Sequence, residues 1–230
     1  NTSLMHLDCS NNQLTNLDVN QNTALISLSC AHNQLAILNV LSNNILEQIN
    51  CANNNLSNLN LTSQNILSDL LCSNNNLLSL DLSQNTSLMH LDCSNNQLTE
   101  LSLVCETPFP NHFDMATVNC SYNELLELQV SGNNIKSLNC SHNMLTSLDI
   151  SDTPINALDC RYNNLYCLTL NDAVAILMSP FGWYNLDAHE NPNLLVLKLN
   201  IKYVFIFVKN TCARINTNNG CITVKENFLK

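Results

Sequence analysis

Residues 85–103 read NTSLMHLDCSNNQLTELSL, and the fold follows from how this stretch is read. Leu88, Leu91 and Cys93 are followed by Asn96 and Leu98, after which Leu101 and Leu103 repeat the spacing of the first half. The alternation Leu91-Asp92-Cys93 is that of a short strand with Leu and Cys turned inward. So short a strand cannot bury its apolar face alone, and flanking copies are needed to cover it. The chain supplies them: residues 1–15 (NTSLMHLDCSNNQLT) are identical to residues 85–99, four periods apart. The array therefore grew by copying.

Cys9, Cys30, Cys51, Cys72 and Cys93 are each 21 residues apart, and after one longer step the series resumes at Cys120, Cys140 and Cys160 with spacings of 20. A fixed period of this length is the mark of a solenoid. Successive strands at about 4.8 Å would form a parallel sheet, and nine of them one about 40 Å long. Asn12, Asn33, Asn54, Asn75, Asn96, Asn123, Asn143, Asn163 and Asn191 then fall in a single column. Their amides are placed to satisfy backbone groups left open where the chain turns away from the strand. Within each unit, Leu14, Leu17, Val19 and Asn22 echo Leu4, Leu7, Cys9 and Asn12, so a unit reads as two nested near-copies.

This pattern resembles the leucine-rich-repeat superfamily, and specifically its nested class called IRREKO. The class pattern L-x-x-L-x-C-x-x-N-x-L-x-x-L-D-L runs over residues 4–19 and 88–103, with Val19 and Ser102 as departures. The resemblance covers roughly residues 1–200, about nine repeats. It implies a solenoid with a curved parallel β-sheet on its concave face, an irregular or short-stranded convex side and little helix. Arrays of the class are largely bacterial.

Two segments interrupt the period. Residues 104–114 lengthen the step from Cys93 to Cys120, and Pro108 and Pro110 keep them out of a ladder, so they read as an inserted loop. The ninth unit is degenerate, with Trp183, Leu186, Ala188, Asn191 and a displaced Leu194. Beyond it, residues 201–230 read as a C-terminal cap or a degenerate tail, with Asn219-Gly220 between β-formers predicting a hairpin.

Roughly a fifth of the residues are Asn, with only 3 Gly and 5 Pro, so the turns rest on Asn chemistry. The formal charge is −10, and no Lys or Arg precedes Lys136, whereas six of the eight lie from Lys198 onward. Such a surface argues against nucleic acid. No apolar run reaches membrane-spanning length; the longest, Tyr203 to Val208, is far too short. Asn1 stands inside a repeat with no initiator Met or signal-peptide pattern before it, so the sequence reads as a fragment or trimmed chain and assigns no compartment.

Candidate chemistry is sparse. Thiols at one inward position of successive strands have Cβ atoms about 5 Å apart, beyond comfortable disulfide reach, and facing Leu they act as small hydrophobes. Metal-ligand spacing such as C-x-x-C is absent, and neither a metal nor a cofactor is expected. His6 and His90 occupy one column and His32 and His142 another, so their placement follows from the repeat and no catalytic set converges. Three columns flank the strand on the expected binding face. One runs from Asp8 to Asp187 and is small, polar and acidic, and a second is mostly Ser or Ala, ending in Arg161 and His189. The third reads Asn11, His32, Asn53, Asn74, Asn95, Tyr122, His142, Tyr162 and Glu190. Tyr and Arg commonly anchor interfaces, so Tyr122, His142, Arg161 and Tyr162 form the candidate patch. The functional expectation is a non-catalytic scaffold that binds a protein, or alternatively a glycan, through its concave face. The competing expectation is a decayed array without a function of its own.

Overall fold

The computed structural model describes residues 1–104, 115–131, 135–153, 155–170, 188, 190 and 191, together with the backbone of five strands between 185 and 223. One sheet organises the chain. Its nine strands are β1 (His6–Asp8), β2 (Ser27–Ser29), β3 (Gln48–Asn50), β4 (Asp69–Leu71), β5 (His90–Asp92), β7 (Thr117–Asn119), β9 (Ser137–Asn139), β11 (Ala157–Asp159) and β13 (Asn185–Asp187), in that order. All are parallel and in register, with Leu7, Leu28, Ile49, Leu70, Leu91, Val118, Leu138, Leu158 and Leu186 in one row. No helix occurs among the described residues. The result is a parallel β-solenoid with a short-stranded second side, as the period predicts.

The core is a stack of identical layers. Leu25, Leu28, Cys30 and Leu35 of one turn lie over Leu46, Ile49, Cys51 and Leu56 of the next, all fully buried or nearly so. Burying a Leu side chain contributes about 2 kcal/mol, and each turn repeats the set. Cysteine suits its column because it is small and its sulfur tolerates an apolar wall. The ladder thiols form no disulfide, and burial from Cys30 to Cys140 keeps these thiols uncharged. Desolvation pushes Cys30 and Cys120 up to about 12, and Cys51, Cys72, Cys93 and Cys140 are also raised.

Each turn is closed by the asparagine column. The Asn75 amide donates to the carbonyls of Cys51, Cys72 and Ser73 at 3.0, 3.1 and 3.3 Å, while its Oδ1 accepts the Leu56 N–H at 2.9 Å. One side chain thus ties two turns together. Asn33, Asn54, Asn96, Asn123, Asn143 and Asn163 make the same four contacts. Asn191 repeats the pattern with Cys160, Ala188 and Leu165, and Asn12 in the first turn donates to Cys9 and Ser10.

The nested halves of a unit, near-copies in sequence, differ in structure. Up to residue 99 the second halves form no strand, only one isolated bridge, Asp18 to Asn39. From Glu100 onward they form β6 (Glu100–Val104), β8 (Glu127–Ser131), β10 (Ser147–Ile150), β12 (Cys167–Leu170) and β14 (Val196–Lys198). Their amide column is also poorer. Asn43 donates to Val19 and Asn22, and Gln64 and Asn85 donate in the same way, yet the side-chain oxygens of all three are buried without a partner.

The hairpin expected at Asn219-Gly220 falls on residues 214–220, which lie outside the described residues. Strand β17 (Cys221–Thr223), which follows Asn219-Gly220, runs antiparallel to β14, while β15 (Ile206–Val208) pairs with β16 (Thr211–Ala213). The edge of β14 not taken by β12 carries β17 as an antiparallel neighbour. Val104, the first residue of the expected loop, ends β6, and residues 105–114 lie outside the described residues.

Two measurements probe this frame. Asn75→Ala should destabilise by about 3 kcal/mol, because two turns lose carbonyl partners and a buried N–H is orphaned. The exposed neighbour Asn76→Ala should shift the urea midpoint by no more than about 0.5 kcal/mol equivalent. The buried thiols also set a sign for alkaline pH. Their stabilisation is fully present below the unfolded cysteine value of about 8.5 and is lost as pH climbs toward 12, at about 1.4 kcal/mol per thiol per pH unit. The urea midpoint should therefore fall steadily between about pH 8.5 and 10, and a flat profile there would contradict a buried ladder.

Candidate functional site

The strand ends are built from short-range side-chain bonds. Asp8, Asp92, Asn119, Asn139 and Asp159 each accept the N–H of the residue two places on, at 2.9 to 3.3 Å, which turns the chain off the sheet. The Ser10 hydroxyl and then its amide hold Asp8 below the usual carboxylate range. This acidic column therefore has a structural task. The neighbouring Ser and Ala column differs from its expected exposure: Ala31, Ala52, Ser73, Ser94, Ser121 and Ser141 are buried. Arg161 departs from the column, and its Nε and Nη2 grip the Asp159 carboxylate at 2.9 and 2.7 Å.

The third column carries a constraint that composition only hinted at. Asn11, His32, Asn53, Asn74, Asn95, Tyr122, His142, Tyr162 and Glu190 all have φ between 51° and 57°. This left-handed conformation costs a side chain with a Cβ about 1 kcal/mol or more, and Asn tolerates it best. Asparagine fills the column at Asn11, Asn53, Asn74 and Asn95. Tyr and His at the same backbone position are strained replacements.

What the strained positions gain is contact with one another. The Tyr122 and His142 rings stack with centroids 4.0 Å apart and planes 10° off parallel, and His142 and Tyr162 stack at 4.2 Å and 20°. The spacing of parallel strands lies close to that of stacked rings, so equivalent planar side chains on neighbouring turns meet face to face. Tyr122 and Tyr162 remain 51% and 44% exposed, so the phenol edges face outward while the inner ring faces cover His142. Of the four candidate residues, three form a single column and Arg161 stands beside it, turned onto Asp159.

Sequence reasoning passed over the neighbours of this column. Leu126, Met144 and Tyr166 are 57%, 51% and 53% exposed on the flank that follows the asparagine ladder. Their signal was present. Met144 interrupts a column that otherwise reads Gln13, Gln34, Asn55, Asn76, Gln97, Glu124 and Asn164. An apolar residue in a polar column has no core to serve. Among the described residues no group of three or more His, Cys, Asp or Glu could hold a metal, and no helix is long and apolar enough to cross a membrane.

Comparison with solved structures gives the fold its name. The LRIM1/APL1C complex matches over 86% of this chain and 39% of that chain, with 20% identity and a TM-score of 0.58, and the APL1 leucine-rich repeat domain over 85% and 66%, with 18% and 0.53. The chain has the leucine-rich-repeat fold. The functional domain of InlJ from Listeria monocytogenes, described as including a cysteine ladder, aligns over 85% of this chain and 53% of that one, with 26% identity and a TM-score of 0.49. This leucine-rich-repeat chain thus spans about half or less of the InlJ domain and the LRIM1/APL1C match. No family model and no curated protein matches it.

The stack and the strain act in opposite directions on stability. His142→Asn relieves left-handed strain of about 1 kcal/mol and forfeits two stacked contacts of similar total size. Its urea midpoint should stay within about 1 kcal/mol of the parent, whereas the adjacent Asn143→Ala should lose about 3 kcal/mol. A large loss in His142→Asn would mean that the stack is a structural clamp.

Proposed function

We propose that this chain is a non-catalytic scaffold of the IRREKO type that binds a partner protein through its concave face, at the rim of the nine-stranded sheet, with Tyr122, His142, Arg161 and Tyr162 at the contact. The observation that carries the reading is the aromatic stack on strained backbone. Three consecutive turns replace a polar or Asn-type residue by Tyr, His and Tyr, and the two phenols stay half exposed. Exposed Tyr beside Arg supplies rigid contact area and hydrogen bonding at low entropic cost.

Ring geometry favours a protein over a glycan. A sugar packs on an open ring face, and here the stack covers both faces of His142 and the inner faces of Tyr122 and Tyr162. Half-exposed phenols with ordered edges and hydroxyls suit the polar and apolar side chains of a protein. The leucine-rich-repeat structures it resembles include one solved as a complex, LRIM1/APL1C, which agrees with an assembly role. Arg161 is already held in a fixed pose by Asp159, so a partner carboxylate would meet an ordered guanidinium.

The test uses Tyr122→Asn together with Tyr162→Asn, since Asn suits the left-handed backbone and leaves the fold intact. Partners captured from extracts of the source organism or its host by the parent chain, and identified by mass spectrometry, should lose at least about tenfold in affinity for the double variant. Equal affinity for parent and variant would remove the patch from the interface.

A further inference from the structure

We infer a second recognition surface on the opposite side of the solenoid, a groove between β8 and β10 that takes an extended, lysine- or arginine-bearing peptide segment of a partner protein. The groove follows from an interruption in the second side of the solenoid. Strand β6 pairs with β8, and β10 pairs with β12, which pairs with β14, but β8 and β10 belong to different sheets although they lie side by side. Among the described residues no backbone hydrogen bond joins 127–131 to 147–150. Elsewhere from β6 onward these neighbouring second-half strands run as ladders.

A groove of about 680 Å³ opens at this interruption. Its polar lining comes from outward positions of both strands, Glu127 and Gln129 on β8 and Asp149 on β10, with Asp152 just beyond. Leu128, Val130, Leu148 and Ile150 alternate with them and face the core. Exposed Leu126 stands at one end of the groove. The site thus offers an apolar contact followed by a run of carboxylates.

Charge complementarity selects the occupant. Among the described residues no cation sits against Glu127, Asp149 or Asp152, and before Lys198 the chain carries only Lys136 and Arg161 as basic residues. An extended peptide presents every second side chain to one side, at about 6.6 Å intervals, which lets successive Lys or Arg residues meet the carboxylates in turn. Their aliphatic stems lie along the groove while the charged ends reach the acids. This surface is distinct from the aromatic stack, so either can fail without the other.

The probe is a fluorescein-labelled octapeptide, Leu-Lys-Thr-Lys-Thr-Lys-Thr-Lys, followed by fluorescence anisotropy at physiological ionic strength, with the Lys residues replaced by Glu in a control peptide. The parent chain should bind the basic peptide saturably and the acidic one not at all. The triple variant Glu127→Gln, Asp149→Asn, Asp152→Asn should weaken binding roughly tenfold. Asn at 149 keeps an acceptor for the Ser151 N–H, so the local turn survives. Removing three carboxylates elsewhere, by Asp18→Asn, Glu47→Gln and Asp69→Asn, should change affinity by less than about twofold. Tyr122→Asn with Tyr162→Asn should leave it unchanged. No saturable binding, equal binding of the acidic peptide, an equal loss in both triple variants, or a loss in the tyrosine variant would each overturn the groove.

Discussion

The structure depends on one recurring hydrogen-bonded group, the asparagine side chain that bridges two turns. A solenoid turn leaves its strand at a sharp corner, and the corner's carbonyls point inward where no water reaches them. One carboxamide answers the problem because it carries two donors and an acceptor within a few ångströms. Aspartate has no N–H to give, serine cannot reach both turns, and glutamine adds a methylene. Where Gln64 stands in the weaker second column, it donates to the Asn43 carbonyl at 3.4 Å, whereas Asn85 makes the equivalent contact at 2.9 Å. A ladder that fixes each turn to the next leaves the rest of the surface free to vary.

Period and pattern made the sheet legible. Spacing of the Cys and Asn columns set which residues pair, and Leu7 lies opposite Leu28 because both stand two residues before a ladder cysteine. What the pattern could not convey was conformation within a column. Nothing in the string distinguishes the left-handed residue at position 11 from its equivalent in the second half, Gln21, because both sit one place before an amide. Nor could hydropathy show that the Ser and Ala column is small because it is buried. Both facts emerge only once the turns are stacked.

The aromatic column shows how function can be written on such a frame. Its left-handed backbone is imposed by the corner and not by the residue, so any substitution is held rigidly at a known cost. Strand spacing then aligns planar groups without further design. A Tyr placed singly would be strained and partly mobile. The same Tyr against His142 becomes ordered, and ordered aromatic edges are what a binding surface needs, since the entropic cost of fixing them is met before a partner arrives.

Exact repetition works against recognition of a single partner, because an unbroken array offers the same surface at every turn. The identical stretches 1–15 and 85–99 present the same Asp, Ser and Asn side chains twice and so cannot distinguish one position from another. A unique site requires that the exposed columns diverge while the ladder persists. Single departures such as exposed Ile37, Leu71 and Leu78 occur earlier, but aromatics fill consecutive turns only where the period shortens from 21 to 20 residues: the segment from Val130 to Ile135 is one residue shorter than that from Val19 to Leu25. These turns carry the stacked aromatics, the exposed Leu126 and Met144, and strands on both sides of the solenoid, while Asn123, Asn143 and Asn163 keep the ladder unchanged. Relaxing the repeat at its surface without touching its amide column is the physical route by which a monotonous solenoid acquires a place that can be recognised.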